Sequence, residues 1–391
     1  MEYDAAIAGC GPVGAFCAKL LAEKGFKVVV FEEHKEIGMP EHCSGLIHPR
    51  VEDITGMDLG DAVQNEIYGA HINFRDIELS LHAENCKSLV LDRAVVDRIL
   101  ADAAESEGAE IRLGKKASSF VRKSDGIEIN GETKCRVLVG ADGVRSMVAR
   151  SFDMREKAEV IRGIQCNARL KSREIENVSV YLGRDIAPGF FAWAIPTSDD
   201  TCRVGLGVNS GSASAYLKRL LDDLDAEPVE TFGGGIPLGL MKKSYGDHVV
   251  LLGDAAMQVK PISGGGVNMG LRCARICADV LSEALEREDT AESSLAKYQR
   301  EWYKEFAREI RFGMIARKFF YGLSDEKIER LFRAPDEDVL EKISTYGDID
   351  YPSRVSEPLL SAFFVEPQRF IKSSYLPLLS LLPDALRALL G

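Results

Sequence analysis

Two groups of residues in this 391-residue chain have the types and spacing to bind a phosphate-bearing ligand. The first is Gly9-Cys10-Gly11-Pro12-Val13-Gly14, followed eighteen positions after its last glycine by Glu32. Gly9 allows a tight turn, Gly11 lets the backbone approach a pyrophosphate, and Gly14 lets a helix lie close on its strand. The free N–H groups of that helix attract phosphate, and Glu32 can accept hydrogen bonds from a ribose. The second group is Gly253-Asp254-Ala255-Ala256 and, after Pro261, Ser263-Gly264-Gly265-Gly266-Val267-Asn268. It opens another helix N-terminus, able to hold a polar or partly negative ring edge, with Asp254 as an acceptor for a sugar hydroxyl. Two glycine corners suggest a long dinucleotide lying across one sheet. A third group, Pro40-Glu41-His42-Cys43-Ser44-Gly45-Leu46, puts a cysteine on a loop restricted by Pro and Gly. Cys43 reads either as a packing thiol or as a group facing a ligand, and exposure decides between them. His42 and His48 lack ligand-spaced partners, so no metal site is expected.

The elements that must position these groups follow from the pattern of apolar residues. Residues 3–8 and 26–31 read as strands around a helix at 15–24. Residues 89–93 lead into a helix at 94–106 that closes at Gly108, with Asp92 as N-cap, which places Arg93 in its first turn. Strands at 110–113 and 117–129 turn at Asn130-Gly131, a strong hairpin signal. Residues 136–140 form an apolar strand that runs into Ala141-Asp142-Gly143. From 161 to 208 the pattern becomes alternating strands, and alternation puts Phe191, Trp193 and Ile195 on one face with Ala192 and Ala194 on a nearly bare reverse. Such a face reads as core or as the wall of a hydrophobic cavity. The chain returns to the first sheet with an apolar strand at 248–252 and a helix at 267–285. Residues 295–391 read as helical. The stretch from Ser356, rich in Leu, Phe and Pro, is expected either to pack on the body or to form an amphipathic cover at a membrane interface or lipid channel.

Composition narrows the setting. A formal charge of −12 argues against nucleic acid as a partner. No basic apolar leader precedes residue 3 and no 18-residue apolar run occurs, so a cytoplasmic protein without a membrane span is expected, with peripheral contact at the inner membrane face as the furthest extension. The nine cysteines contain no CxxC pair, which fits reduced buried thiols.

Together, the two glycine corners with Glu32, Arg93, Gly140-Ala141-Asp142-Gly143 and Asp254 resemble the FAD-dependent hydroxylase-type flavoproteins. Within these the chain is most similar to the geranylgeranyl reductases, on Pro40-x-x-Cys43-x-Gly45, on Tyr181-Leu182-Gly183 leading to Ala187–Pro196, and on Gly264-Gly265-Gly266. It departs from them in carrying Phe190, Phe191 and Ile195 where they often have a small residue, Tyr and Phe. Its cysteine loop is also one residue shorter. The resemblance implies an α/β fold, with a Rossmann-like FAD-binding domain at 1–65, 89–150 and 246–290. An inserted antiparallel-sheet substrate domain would occupy 66–88 and 151–245, with a helical region at 291–391. It implies that Gly9, Gly11, Gly14, Glu32, Cys43, Ser44, Gly45, Arg93, Ala117, Asp254, Gly265, Gly266 and Val267 hold FAD, with Cys43 and Gly45 approaching its isoalloxazine, and that Tyr181, Phe191, Trp193 and Ile195 line a prenyl pocket; Cys43, or a flavin-bound water, is then the expected catalytic proton source. The implied reaction saturates the double bonds of geranylgeranyl lipids, with ferredoxin, NADPH or a reduced deazaflavin supplying electrons. A flavin monooxygenase or halogenase and a non-enzymatic prenyl-lipid escort are the alternatives.

Overall fold

The computed structural model describes residues 2–355. Its main sheet is built around Glu2–Ala8, which pairs in parallel with Val28–Phe31 on one side and Thr133–Gly140 on the other. Glu110–Arg112 extends it beyond Val28–Phe31, and Val249–Leu251 extends it beyond Thr133–Gly140. Val28–Phe31 and Val249–Leu251 are apolar throughout, as burial on both faces demands. Pro12–Glu23 packs on one face beside Arg93–Ser106 and Val267–Glu286, forming the largest apolar core. The first helix starts three residues before its expected start, because Pro12 occupies the first-turn position where a missing N–H costs nothing. The strand expected over 117–129 is two, Phe120–Lys123 and Gly126–Ile129, folded back on each other. The next turn is the expected one, with Asn130 and Gly131 both in the left-handed region.

The second sheet runs Glu227–Leu238, Glu159–Arg169, Thr201–Val208, Ala192–Pro196, Asn177–Leu182, Gly69–Phe74, Ile77–His82. Every neighbouring pair is antiparallel except Asn177–Leu182 with Gly69–Phe74, where a hairpin from earlier in the chain joins the edge. The reverse of this sheet is not bare. Ala213–Asp223 covers it, packing Leu217, Leu220 and Leu221 against Ala192, Ala194, Val204 and Leu206. A small third sheet, Leu46–Ile47, Ser88–Leu91 and Val63–Ile67, joins the two bodies.

Beyond residue 290 the described chain is helical. Glu292–Gly322 lies against Val267–Glu286 and buries Tyr298 and Trp302 completely. Shorter helices follow at Asp325–Arg333 and Glu337–Tyr346. Among the described residues no helix is long and apolar enough to cross a membrane. The apolar stretch from Ser356 lies outside the described residues.

Candidate functional site

The first glycine corner is locked from three directions. The Gly9 N–H donates to Phe31 O at 2.8 Å, and Gly9 holds a φ of +98°. A Cβ on Gly9 would collide with Ala141 O, and one on Gly14 would collide with Gly9 O. Gly11, in contrast, faces open space: a Cβ there would meet no atom within 4 Å. The helix that begins beside it has no side-chain cap, so its first N–H groups remain available to an anion. Glu32 is drawn toward the same corner, accepting from Cys10 N at 2.9 Å and from His34 N at 2.9 Å.

The second corner stands directly beside the first. A Cβ on Gly253 would lie 3.6 Å from Val13 Cβ, and one on Gly266 would lie 3.2 Å from Asp254 Oδ1. Gly265 O accepts from Lys260 N at 3.1 Å, and Val267 begins the uncapped helix Val267–Glu286. Behind the corner, Gln258 Oε1 accepts from Gly253 N at 2.8 Å while its Nε2 donates to Tyr298 OH at 2.8 Å. Burial pushes the Asp254 carboxyl up to about 6, against the opposing pull of Arg93. A raised folded-state value means that the stability is greatest with the carboxyl protonated, below its ordinary 3.8, and falls as pH rises through 6. In the FAD-free protein Asp254→Asn is therefore expected to add about 2 kcal/mol at pH 8 and nothing at pH 4, read by urea unfolding at the two pH values.

Arg93 sits between the corners and the cysteine loop. Asp92 caps its helix by accepting from Val95 N at 3.0 Å, as expected. Arg93 is only 8% exposed, donates to Asp97 at 2.8 Å, and leaves its Nε buried without a partner. Burial opposes its charge, but Asp97 and the Cys43 sulfur outweigh burial and hold its pKa raised. An orphaned buried donor beside two uncapped helix starts is what a bound dinucleotide would satisfy. Cys43 is half-buried, with its Sγ 3.5 Å from Gly45 N. Gly45, at φ +72°, has Leu91 O and Arg203 Nη1 where a Cβ would go. Arg203 donates to Ser44 O at 2.8 Å, and Gln165 donates to Cys43 O at 2.8 Å. Glu41, on the same loop, has one buried oxygen without a partner, and burial raises its pKa. Ala117 is buried in the apolar layer that also contains Ala8, Phe31 and Ala256.

On the second sheet Trp193 and Ile195 share the face that meets Leu46 and Val90, with Phe190, Phe191, Ile236 and Met314 adjoining. Phe190 stacks on Phe191 at 4.3 Å, and Phe191 meets Trp193 edge-on at 5.8 Å. Tyr181 is not part of this wall. It pairs with Ala192, and cross-paired residues share a face, so it packs toward Ala213–Asp223 on the reverse. Sequence reading also passed over Gln258 and Asp97, and over Gln165 and Arg203, whose partners are distant in the chain. Asp97, four residues after Arg93, had the only local signal, an i,i+4 ion pair.

A family model described as FAD binding domain matches residues 2–209. Digeranylgeranylglycerophospholipid reductase 2 of Methanopyrus kandleri is 31% identical over 373 residues, covering 88% of this chain and 93% of that protein. Digeranylgeranylglycerophospholipid reductase of Methanocaldococcus jannaschii is 28% identical over 356 residues, covering 85% and 90%. The crystal structure of a geranylgeranyl bacteriochlorophyll reductase-like protein from Thermoplasma acidophilum superposes with a TM-score of 0.83 at 22% identity, covering 95% of this chain and 99% of that one.

Proposed function

The chain belongs to the digeranylgeranylglycerophospholipid reductase family of FAD-binding proteins, and from that premise we propose that it saturates isoprenoid C=C bonds of geranylgeranyl chains in membrane lipids or their precursors. The observation that supports this most is the apolar wall of Phe190, Phe191, Trp193, Ile236 and Met314 beside the cysteine loop. Five apolar side chains in one wall suit a hydrocarbon chain, whereas a polar aromatic substrate would need hydrogen-bond partners along it.

Reduced FAD, when bound, supplies the hydride. Gly9, Gly11, Gly14, Glu32, Arg93, Asp254, Gly266 and Val267 are the residues that would hold it. An isolated trisubstituted alkene has no carbonyl to take up negative charge. Its reduction is polarised the other way, with a proton going to the less substituted carbon and the hydride to the tertiary, cation-like carbon. The face of Trp193 stabilises such a cation by about 2 kcal/mol when water is excluded. The Cys43 thiol is the proposed proton donor, and its position on a loop held by Gln165 and Arg203 suits a fixed delivery point.

The experiment is to reduce the FAD-loaded protein with dithionite, add geranylgeranyl lipid without oxygen, and count added hydrogens by mass spectrometry. Each double bond saturated adds two. Trp193→Ala is expected to slow the step about 30-fold, and Cys43→Ala about 100-fold, both with normal FAD content. Full turnover in Cys43→Ala would remove the thiol from the mechanism. Oxygen-dependent modification of an aromatic compound would favour the monooxygenase or halogenase reading, and lipid binding without flavin reoxidation would favour an escort. The electrons come from a separate redox partner. Parallel assays with NADPH, reduced ferredoxin and reduced deazaflavin assign it, and flotation with anionic vesicles tests the proposed peripheral membrane contact.

A further inference from the structure

Three neighbouring strands put Gln165, Gly205 and Trp193 in one row. Gly205 is the cross-strand partner of Gln165 on one side and of Trp193 on the other. Strands lie about 4.8 Å apart, so side chains two strands apart meet only if the residue between them is bare. Gly205 provides that gap: a Cβ there would lie 2.7 Å from the Trp193 ring and would collide with Gln165 Cβ. Across the gap the indole N–H donates to Gln165 Oε1 at 3.3 Å, and Gln165 Nε2 donates to Cys43 O at 2.8 Å. Gln165 is only 3% exposed. An indole N–H can only donate and a peptide carbonyl can only accept, so the link requires a group with one acceptor and one donor. A side-chain amide meets that requirement.

A second buried side chain grips the next residue of the same loop. Arg203 is 3% exposed and donates to Ser44 O at 2.8 Å, Leu91 O at 2.9 Å and Gln64 Oε1 at 2.9 Å. Its fork is used on neutral oxygens of the backbone and of Gln64, which makes it a brace for the loop.

We infer that Gln165 is a positioning residue that ties the indole of Trp193 to the backbone of Cys43 and thereby fixes the hydrocarbon wall and the thiol relative to each other. As a role in the reaction this rests on the proposed lipid reduction. As a mechanical tie it does not. An alkene lying on Trp193 is then presented to the thiol at one depth, which is the alignment that proton and hydride delivery to adjacent carbons needs.

The test uses FAD-loaded, full-length Gln165→Met and Gln165→Glu proteins. Hydrogen–deuterium exchange of the peptide spanning 41–46 is read as a ratio to wild type at each pH. The rate at which geranylgeranyl lipid reoxidises the reduced flavin is measured alongside. Gln165→Met fills the same space without either bond, and loop exchange is expected to rise about tenfold. The peptide spanning 201–208 keeps wild-type exchange, and reoxidation slows by a similar factor. In Gln165→Glu the protonated acid can still accept from Trp193 and donate to Cys43 O, whereas the carboxylate cannot donate. Loop protection and reoxidation should therefore recover together as pH falls from about 8 to 5, a limb the wild type lacks. Loop exchange within twofold of wild type in Gln165→Met overturns the inference. So does a flat pH profile in Gln165→Glu, or faster exchange throughout 201–208, which would mark a residue that merely holds the fold. The exchange arm needs no lipid, so it decides the tie even where the lipid reading fails.

Discussion

Protein carrying Gly9→Ala is expected to purify without yellow colour and to be about 3 kcal/mol less stable than wild type. Two independent costs meet at this position. Alanine at a φ of +98° is strained wherever it occurs, because its Cβ crowds its own backbone. Here the Cβ would also be driven into Ala141 O, which a side-chain rotation cannot relieve. Ala141 N in turn donates to Ala8 O, so a backbone that yields at 141 disturbs the strand before the turn. Absorbance of the bound flavin at equal protein concentration and the midpoint of urea unfolding measure the two losses. Gly11→Ala is the informative contrast. Its Cβ enters open space, so folding should survive while flavin affinity falls, since that space is where a pyrophosphate would come close. Equal flavin content in Gly9→Ala and wild type would contradict this account of the corner.

Asp350→Ala is expected to cost 3–5 kcal/mol, about the scale for removing one partner from a buried ion cluster. Asp350 is 7% exposed and lies among Lys260 at 2.6 Å, Arg50 at 2.6 Å and Asn268 at 2.9 Å. Without it Lys260, also 7% exposed, would be a buried cation with its carboxylate removed. Burial raises the Asp350 pKa, but Lys260, Asn268 and Arg50 more than reverse that and bring it to about 2. A lowered folded-state value means the contribution is fully present above the ordinary 3.8 and is lost as pH falls from about 4 through 2. Acid unfolding should therefore begin at higher pH in Asp350→Ala than in wild type at matched temperature. Adding Lys260→Met should recover part of the loss, because the stranded charge goes with it. A single-mutant cost below 1 kcal/mol would show that water reaches the cluster.

The glycine corners could be read from sequence because each residue there answers a purely local demand: a turn, a close approach or a helix start. The same holds for Asp92, whose cap sets where Arg93 begins its helix. The aromatic strand was legible in its own alternation, which placed Trp193 and Ile195 together. Tyr181 escaped because its side depends on the strand it pairs with, and pairing is not written in a single run of residues. The helix Ala213–Asp223 on the sheet's reverse was missed for the same reason, since a strand's two faces look alike until something covers one. Gln165 and Arg203 are polar residues inside strands, and their partners in the cysteine loop lie 122 and 159 positions away. Asp350 reaches back 90 positions to Lys260 and 300 to Arg50.

The order in which the main sheet is assembled has a consequence for the chain as it leaves the ribosome. Thr133–Gly140 sits between a neighbour made long before it and one made a hundred residues later, Val249–Leu251. The nascent chain must therefore keep one edge of its nucleotide-binding layer open while the five later strands of the second sheet are synthesised. Flavin capture has to await the helix at Val267–Glu286, so incomplete translation products should emerge without pigment and with a raw strand edge that chaperones or proteases can seize.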